Sequence, residues 1–167
     1  MKRALGLLPL ALVLALAGCA PPEPAAAVDA EQVAAELRRE EFFGPGAKAR
    51  DIAWRPSGLG IRVLRPGEGT PPRPMDRIRL HYTGRLKDGR VFDDTRARGQ
   101  PAEFEVSRMI PGLIAGVMAL KPGGHAEFFI PPSLGYGGMK FGDIPPVSGL
   151  IFDVELLAVK PETPPKS

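Results

Sequence analysis

One short turn constrains this chain more than anything else in it. Residues 81–94 read His-Tyr-Thr-Gly-Arg-Leu-Lys-Asp-Gly-Arg-Val-Phe-Asp-Asp, and the Asp88-Gly89 pair offers positive φ at little cost between two apolar-alternating runs. The stretch therefore predicts a β-hairpin. Counting by twos puts Ile78, Leu80 and Tyr82 on one face of the incoming strand and separates Phe92 from the Asp93 carboxylate on the outgoing one. An aromatic wall with one acid at its rim is the expected product.

A hairpin needs partners, and the rest of the chain supplies them in short pieces. With 20 Gly and 20 Pro in 167 residues, turns are frequent and strands are short, and the length suits one domain with small additions. Alternation predicts strands over residues 58–64, 75–83, 85–93, 102–106, 125–130 and 151–159. Residues 109–120 form the one internal helix expected, apolar at Ile110, Leu113, Ile114, Val117 and Met118, with Pro111 suited to its first turn. Gly112 and Gly116 weaken that helix, so its stability must come from packing on the sheet, which the glycines let it approach closely. Residues 131–148 are a long Gly/Pro-rich flap, a length associated with function. The fold class is α+β: five or six antiparallel strands around one short helix.

The chain opens on Lys2-Arg3 and an apolar run over residues 4–17, a signal-peptide pattern too short for a permanent span of about 20 residues. The run ends in Leu16-Ala17-Gly18-Cys19, which resembles the bacterial lipobox and implies a lipidated Cys19 that tethers the protein to a membrane of the cell envelope. The alanine after Cys19 leans toward the outer membrane in a Gram-negative cell. As the chain's only cysteine, Cys19 leaves no intramolecular disulfide to form. Residues 19–28 are a Pro/Ala-rich linker. Residues 29–56 hold a short N-terminal helix and connector. Asp29 and Gln32 fit a capping box, Val33, Leu37 and Phe42 form one narrow apolar stripe, Gly44-Pro45-Gly46 stops the helix, and Trp54 packs on the domain edge. Losing the leader takes two of the 22 basic side chains and leaves them nearly balanced by 19 acidic ones, which gives no basis for nucleic-acid binding.

His-Tyr-Thr-Gly with Asp-Gly and Phe-Asp is followed in order by Ile110-Pro111-Gly112-Leu113, Gly135-Tyr136-Gly137, Ile144-Pro145-Pro146 and residues 150–157. Together they resemble the FKBP family of peptidyl-prolyl cis-trans isomerases over residues 57–160. The resemblance implies the half-barrel form of the α+β fold and rotation about X-Pro bonds of polypeptide substrates, with no cofactor and no metal. Carried over residue by residue, it implies catalytic roles for Tyr82, Phe92, Asp93, Ile110, Tyr136 and Phe152. Arg98, Phe104, Met109, Leu113 and Ile144 are implied as substrate-binding. Tyr136 and the Ile110 N–H are the expected donors to the substrate carbonyl, and Arg98 is a solvated loop charge or a partner for Asp93. Many relatives carry tryptophan where Leu113 stands and an aromatic where Ala102 stands, so affinity for the family's macrolide inhibitors is expected to suffer more than turnover. His81 and His125 are read as structural. Competing readings are a non-catalytic peptide-binding or chaperone module using the same groove, and a structural envelope lipoprotein. A monomer is expected, and residues 161–167 read as a disordered tail.

Overall fold

A computed structural model describes residues 30–162; the expected leader, Cys19, the linker, Asp29 and residues 163–167 lie outside them. Among the described residues there are seven strands: β1 (Ala53–Trp54), β2 (Gly60–Arg65), β3 (Arg77–Arg85), β4 (Val91–Asp94), β5 (Ala102–Glu105), β6 (His125–Ile130) and β7 (Leu150–Lys160). They form one antiparallel sheet in the order β1-β2-β6-β7-β3-β4, and β5 also pairs with β3. The count exceeds the expected five or six because the two-residue β1 adds an edge that no alternation pattern could reveal. β3 shares its outer edge: β4 pairs with residues 83–85 of it and β5 with residues 77–80. Its alternation follows the sequence, with Ile78 and Leu80 buried and Arg77 and Arg79 exposed.

The internal helix, α2 (Pro111–Val117), is shorter than expected. Ile110 sits before it in an extended conformation, which leaves Pro111 at the first helical position where its missing N–H costs nothing. At the other end Ala119 and Leu120 donate to carbonyls only three residues back, those of Gly116 and Val117, tightening the last turn. The two glycines set the depth of packing. A Cβ on Gly112 would lie 2.4 Å from Ile130 Cγ2, and one on Gly116 would lie 2.8 Å from the Phe128 ring. Burial therefore falls on Gly112, Gly116 and Val117, while Met118, expected on the apolar face, is exposed.

The N-terminal helix, α1 (Ala30–Phe43), corrects a second expectation. Val33 and Leu37 are 40% and 62% exposed, and the helix is anchored at its last turn by Phe43 instead. The reason lies in the sheet: Phe129 of β6 and Ile151 of β7 are paired and need cover on the face opposite the main core. Phe43 meets the Phe129 ring edge-on at 5.7 Å and Trp54 at 5.8 Å, completing a small second core with Ala47 and Ile52. Trp54 packs at the edge as expected, with the Arg39 guanidinium 4.6 Å above its ring. Ion pairs continue on the strands, Arg62 and Arg85 on Glu127 and Arg96 on Asp153.

Candidate active site

On the main-core face the sheet curls around a cavity of about 510 Å³. Each wall comes from a different element. β3 contributes Leu80 and Tyr82, β4 Phe92 and Asp93, β5 Phe104, β7 Phe152 and Val154, and α2 with its approach Met109, Ile110 and Leu113. The aromatics form a continuous wall: Tyr82 to Phe104 at 6.2 Å, Tyr82 to Phe152 at 5.9 Å, and Phe92 edge-on to Phe152 at 5.5 Å. Gly84 makes the wall possible, since a Cβ there would stand 2.5 Å from the Phe92 ring. The flap closes the far side with Tyr136, Phe141 and Ile144.

A polar cluster at Asp93 interrupts the apolar lining. The Asp93 carboxylate accepts hydrogen bonds from the Tyr82 hydroxyl and the Arg98 guanidinium. Burial pushes the Asp93 pKa up, but the bonds from Arg98 and Tyr82 outweigh it and hold the group below its ordinary 3.8, so it is a carboxylate at neutral pH. The Tyr82 phenol is pushed up to about 12, first by burial and then by its bond to that carboxylate. Tyr136 is raised too, by burial and by the Asp93 charge.

These are the chain's only two tyrosines, so the tyrosine absorbance of the native protein reads this site alone. Titration at 295 nm is expected to show no inflection near pH 10 in the native protein and a normal one in denaturant. The sign follows from linkage: a folded pKa above the unfolded value gives stability that is present below pH 10.0 and lost as pH rises through about 12. A native inflection at pH 10 would mean that at least one of the two phenols is not held in a desolvated pocket.

The backbone behind Tyr82 is fixed by a residue that the sequence did not single out. Thr95 is fully buried, and its Oγ1 accepts the Tyr82 N–H at 2.8 Å and donates to the Tyr82 carbonyl at 3.1 Å. It fills the gap on the β3 edge between β4 and β5, where no strand residue pairs with Tyr82. His81 Nδ1 also meets Thr95 Oγ1, at 3.0 Å, and His125 Nε2 meets Asp153 at 2.9 Å, so both histidines have structural contacts.

Of the residues expected in the site, Tyr82, Phe92, Asp93, Phe104, Met109, Ile110, Leu113, Tyr136, Ile144 and Phe152 all line the one cavity. Arg98 does not; it reaches the site through Asp93 and the Tyr82 hydroxyl. Arg108, Phe141 and Asp143 line it without having been expected. Phe141 stacks flat on Tyr136, with ring centroids 4.3 Å apart and planes 6° apart.

Comparison with known proteins agrees with this geometry. Residues 68–157 match the family described as FKBP-type peptidyl-prolyl cis-trans isomerase. The chain is 41% identical over 137 residues to a probable FKBP-type isomerase of Haemophilus influenzae, covering 80% of this chain and 57% of that protein. It is 40% identical to the FKBP-type 22 kDa isomerase of Escherichia coli, covering 92% of this chain and 84% of that one. The outer membrane protein MIP of Legionella longbeachae is 41% identical over 126 residues, covering 75% of this chain and 54% of that one. Among solved structures, FkpA from Escherichia coli superposes with a TM-score of 0.69 at 38% identity, covering 78% of this chain and 59% of that one. A sheet curled on a short helix, a cavity walled by the sequence motifs in their order, and a family match over more than half the length lead to one conclusion: this chain belongs to the FKBP-type peptidyl-prolyl cis-trans isomerase family.

Proposed function

We propose that this chain accelerates cis–trans rotation about X-Pro bonds in proteins folding outside the cytoplasm. The reaction makes and breaks no covalent bond; its barrier of about 18–20 kcal/mol is the resonance energy of the planar imide. A catalyst therefore has to favour the rotated form over the flat one. The planar imide is the more polar, so an apolar slot that strips water from it raises the ground state relative to the rotated state. Tyr82, Phe92, Phe104 and Phe152 supply such a slot, with Ile110 and Leu113 as the helix side of it.

The observation that carries the reading is a pair of unused donors at this apolar cavity. Among the described residues no acceptor takes the Tyr136 hydroxyl or the Ile110 N–H, although both residues line it. Bound to a substrate carbonyl, they would hold the acyl side while the prolyl side turns. Asp93, fixed as a carboxylate, keeps the Tyr82 phenol oriented, and Arg98 positions Asp93. The 510 Å³ volume also suits a ligand of drug-like size, so macrolides of the kind the family binds are a second ligand class, weakened by the smaller floor at Leu113. The test is a protease-coupled assay on a short X-Pro peptide. Turnover above the uncatalysed rate is expected, whereas peptide binding without turnover would leave only a binding module.

On the same reading residues 1–18 are a signal peptide, 19–28 a spacer anchored through lipid on Cys19, and 57–160 the catalytic domain. Residues 29–56 join the two as helix and connector, residues 161–167 are a tail, and the protein acts as a monomer. Among the described residues no helix is long and apolar enough to cross a membrane, and several acyl chains at about 0.8 kcal/mol per buried methylene hold a protein firmly. The relative named for an outer membrane supports the same envelope placement. Incorporation of labelled palmitate, abolished by Cys19→Ser, is the expected result.

A further inference from the structure

Among the described residues three charged side chains line the cavity: Asp93, Arg108 and Asp143. Asp93 is already engaged by Arg98 and Tyr82. Asp143 sits beside the buried Ile144, and its short side chain reaches little beyond the backbone. Arg108 differs from both. It ends the 3-10 turn Val106–Arg108 that leads into the site, and its side chain is 80% exposed. One edge of its guanidinium is fixed, because Nε lies 3.2 Å from Oε2 of Glu105, and Glu105 in turn accepts the Ser107 hydroxyl. Among the described residues neither terminal amino group of Arg108 has an acceptor. An exposed pair of this kind contributes little to folding. The fold therefore has small use for this cation, which stands at the mouth of a slot that is otherwise mostly apolar.

Its place beside the Ile110 N–H decides what it can meet. Met109, between the two, is extended with φ −89° and ψ 169°, so the Cα atoms of Arg108 and Ile110 are roughly 7 Å apart. The acyl carbonyl that the Ile110 N–H is suited to hold belongs to residue X of the X-Pro bond. The side chain of X therefore emerges within reach of the long arginine stem. We propose that Arg108 gives the site a preference for an acidic X, a Glu or Asp immediately before the proline. The two unfilled amino groups form a fork that matches a carboxylate. Asp93 opposes it little, because the Arg98 guanidinium offsets its charge. This inference deepens the isomerase reading and rests on it for the position of the acyl carbonyl.

The test measures kcat/KM of the full chain on short peptides that differ only in X, as Glu, Gln or Lys, each corrected for its uncatalysed rate. At low salt Glu is expected about threefold above Gln, the scale of an exposed ion pair. The advantage should vanish in about 1 M NaCl, where the screening length falls to about 3 Å. In Arg108→Gln the Glu-to-Gln ratio should fall to about one, and in Arg108→Glu the order should reverse in favour of Lys. Arg108→Lys keeps the charge and should keep most of the preference. Equal or poorer turnover of Glu in the parent, a preference for Lys through Asp143, or a ratio that survives Arg108→Gln overturns the role of Arg108. Each readout is a ratio within one variant, so a smaller fraction of active protein leaves it unaltered. If the parent turns over none of the peptides, the isomerase reading fails instead, and the Kd values for the same peptides still decide the selection.

Discussion

Asp93→Ala is expected to lower kcat/KM on a short X-Pro peptide about tenfold with little change in folding. The carboxylate is the acceptor for the Tyr82 hydroxyl and the anchor of Arg98. Its removal leaves the half-buried phenol O–H without an acceptor, which costs about 1–3 kcal/mol, and each 1.36 kcal/mol that reaches the transition state is tenfold in rate. The tyrosine titration separates loss of the network from loss of the cavity. Burial is the first cause of the Tyr82 shift, so in the variant the phenol should move only part of the way back from about 12 toward 10.0. A full return to the ordinary value would mean that the pocket had opened. The same network predicts a flat pH profile. With Asp93 held below 3.8, its contribution is present above that value and lost only as pH falls through the lower folded one. Both phenols stay protonated until well into the alkaline range. Loss of kcat/KM between about pH 5 and 7 would implicate a group titrating near its ordinary carboxylate or histidine range.

Phe43→Ala should have the largest effect on stability and almost none on turnover. Phe43 is 4% exposed and sits between Trp54 and Phe129, and truncating a buried phenylalanine costs about 3–5 kcal/mol. The second core that it completes lies on the sheet face away from the cavity. Chemical denaturation should therefore shift by that amount while kcat/KM, measured well below Tm, stays constant. Fluorescence of Trp54, the chain's one tryptophan, should change in the native baseline. A parallel fall in kcat/KM would show that α1 acts on the site through the sheet.

The parts of this fold that are periodic could be read from the sequence. The Asp88-Gly89 turn, the alternation through Ile78, Leu80 and Tyr82, and the limits of β6 needed only local rules, and motif order picked out ten of the residues that line the cavity. What escaped was decided by tertiary contact. Val33 and Leu37 have helical spacing, but the apolar pair on this face of the sheet, Phe129 and Ile151, is covered by the last turn of α1, so Phe43 is buried instead. Thr95 looked like one more loop hydroxyl, because the vacancy on the β3 edge exists only once β4 and β5 have both paired there. Phe141 lies in a Gly/Pro-rich flap without periodicity, where no spacing rule tells which side chain turns toward the cavity and which toward water. The shorter α2 belongs with these, since its ends are set by Pro111 and by contact with β6 rather than by its apolar pattern.

The central claim is that an apolar slot, acting by desolvation and without proton transfer, lowers the barrier to rotation. The solvent isotope effect on kcat/KM for a short X-Pro peptide tests it most directly. The account predicts essentially the same rate in heavy water as in light water, because no proton moves at the imide nitrogen or at Asp93, Tyr82 or Tyr136. A slowing by a factor of about two or more, the mark of general acid–base participation, would contradict it.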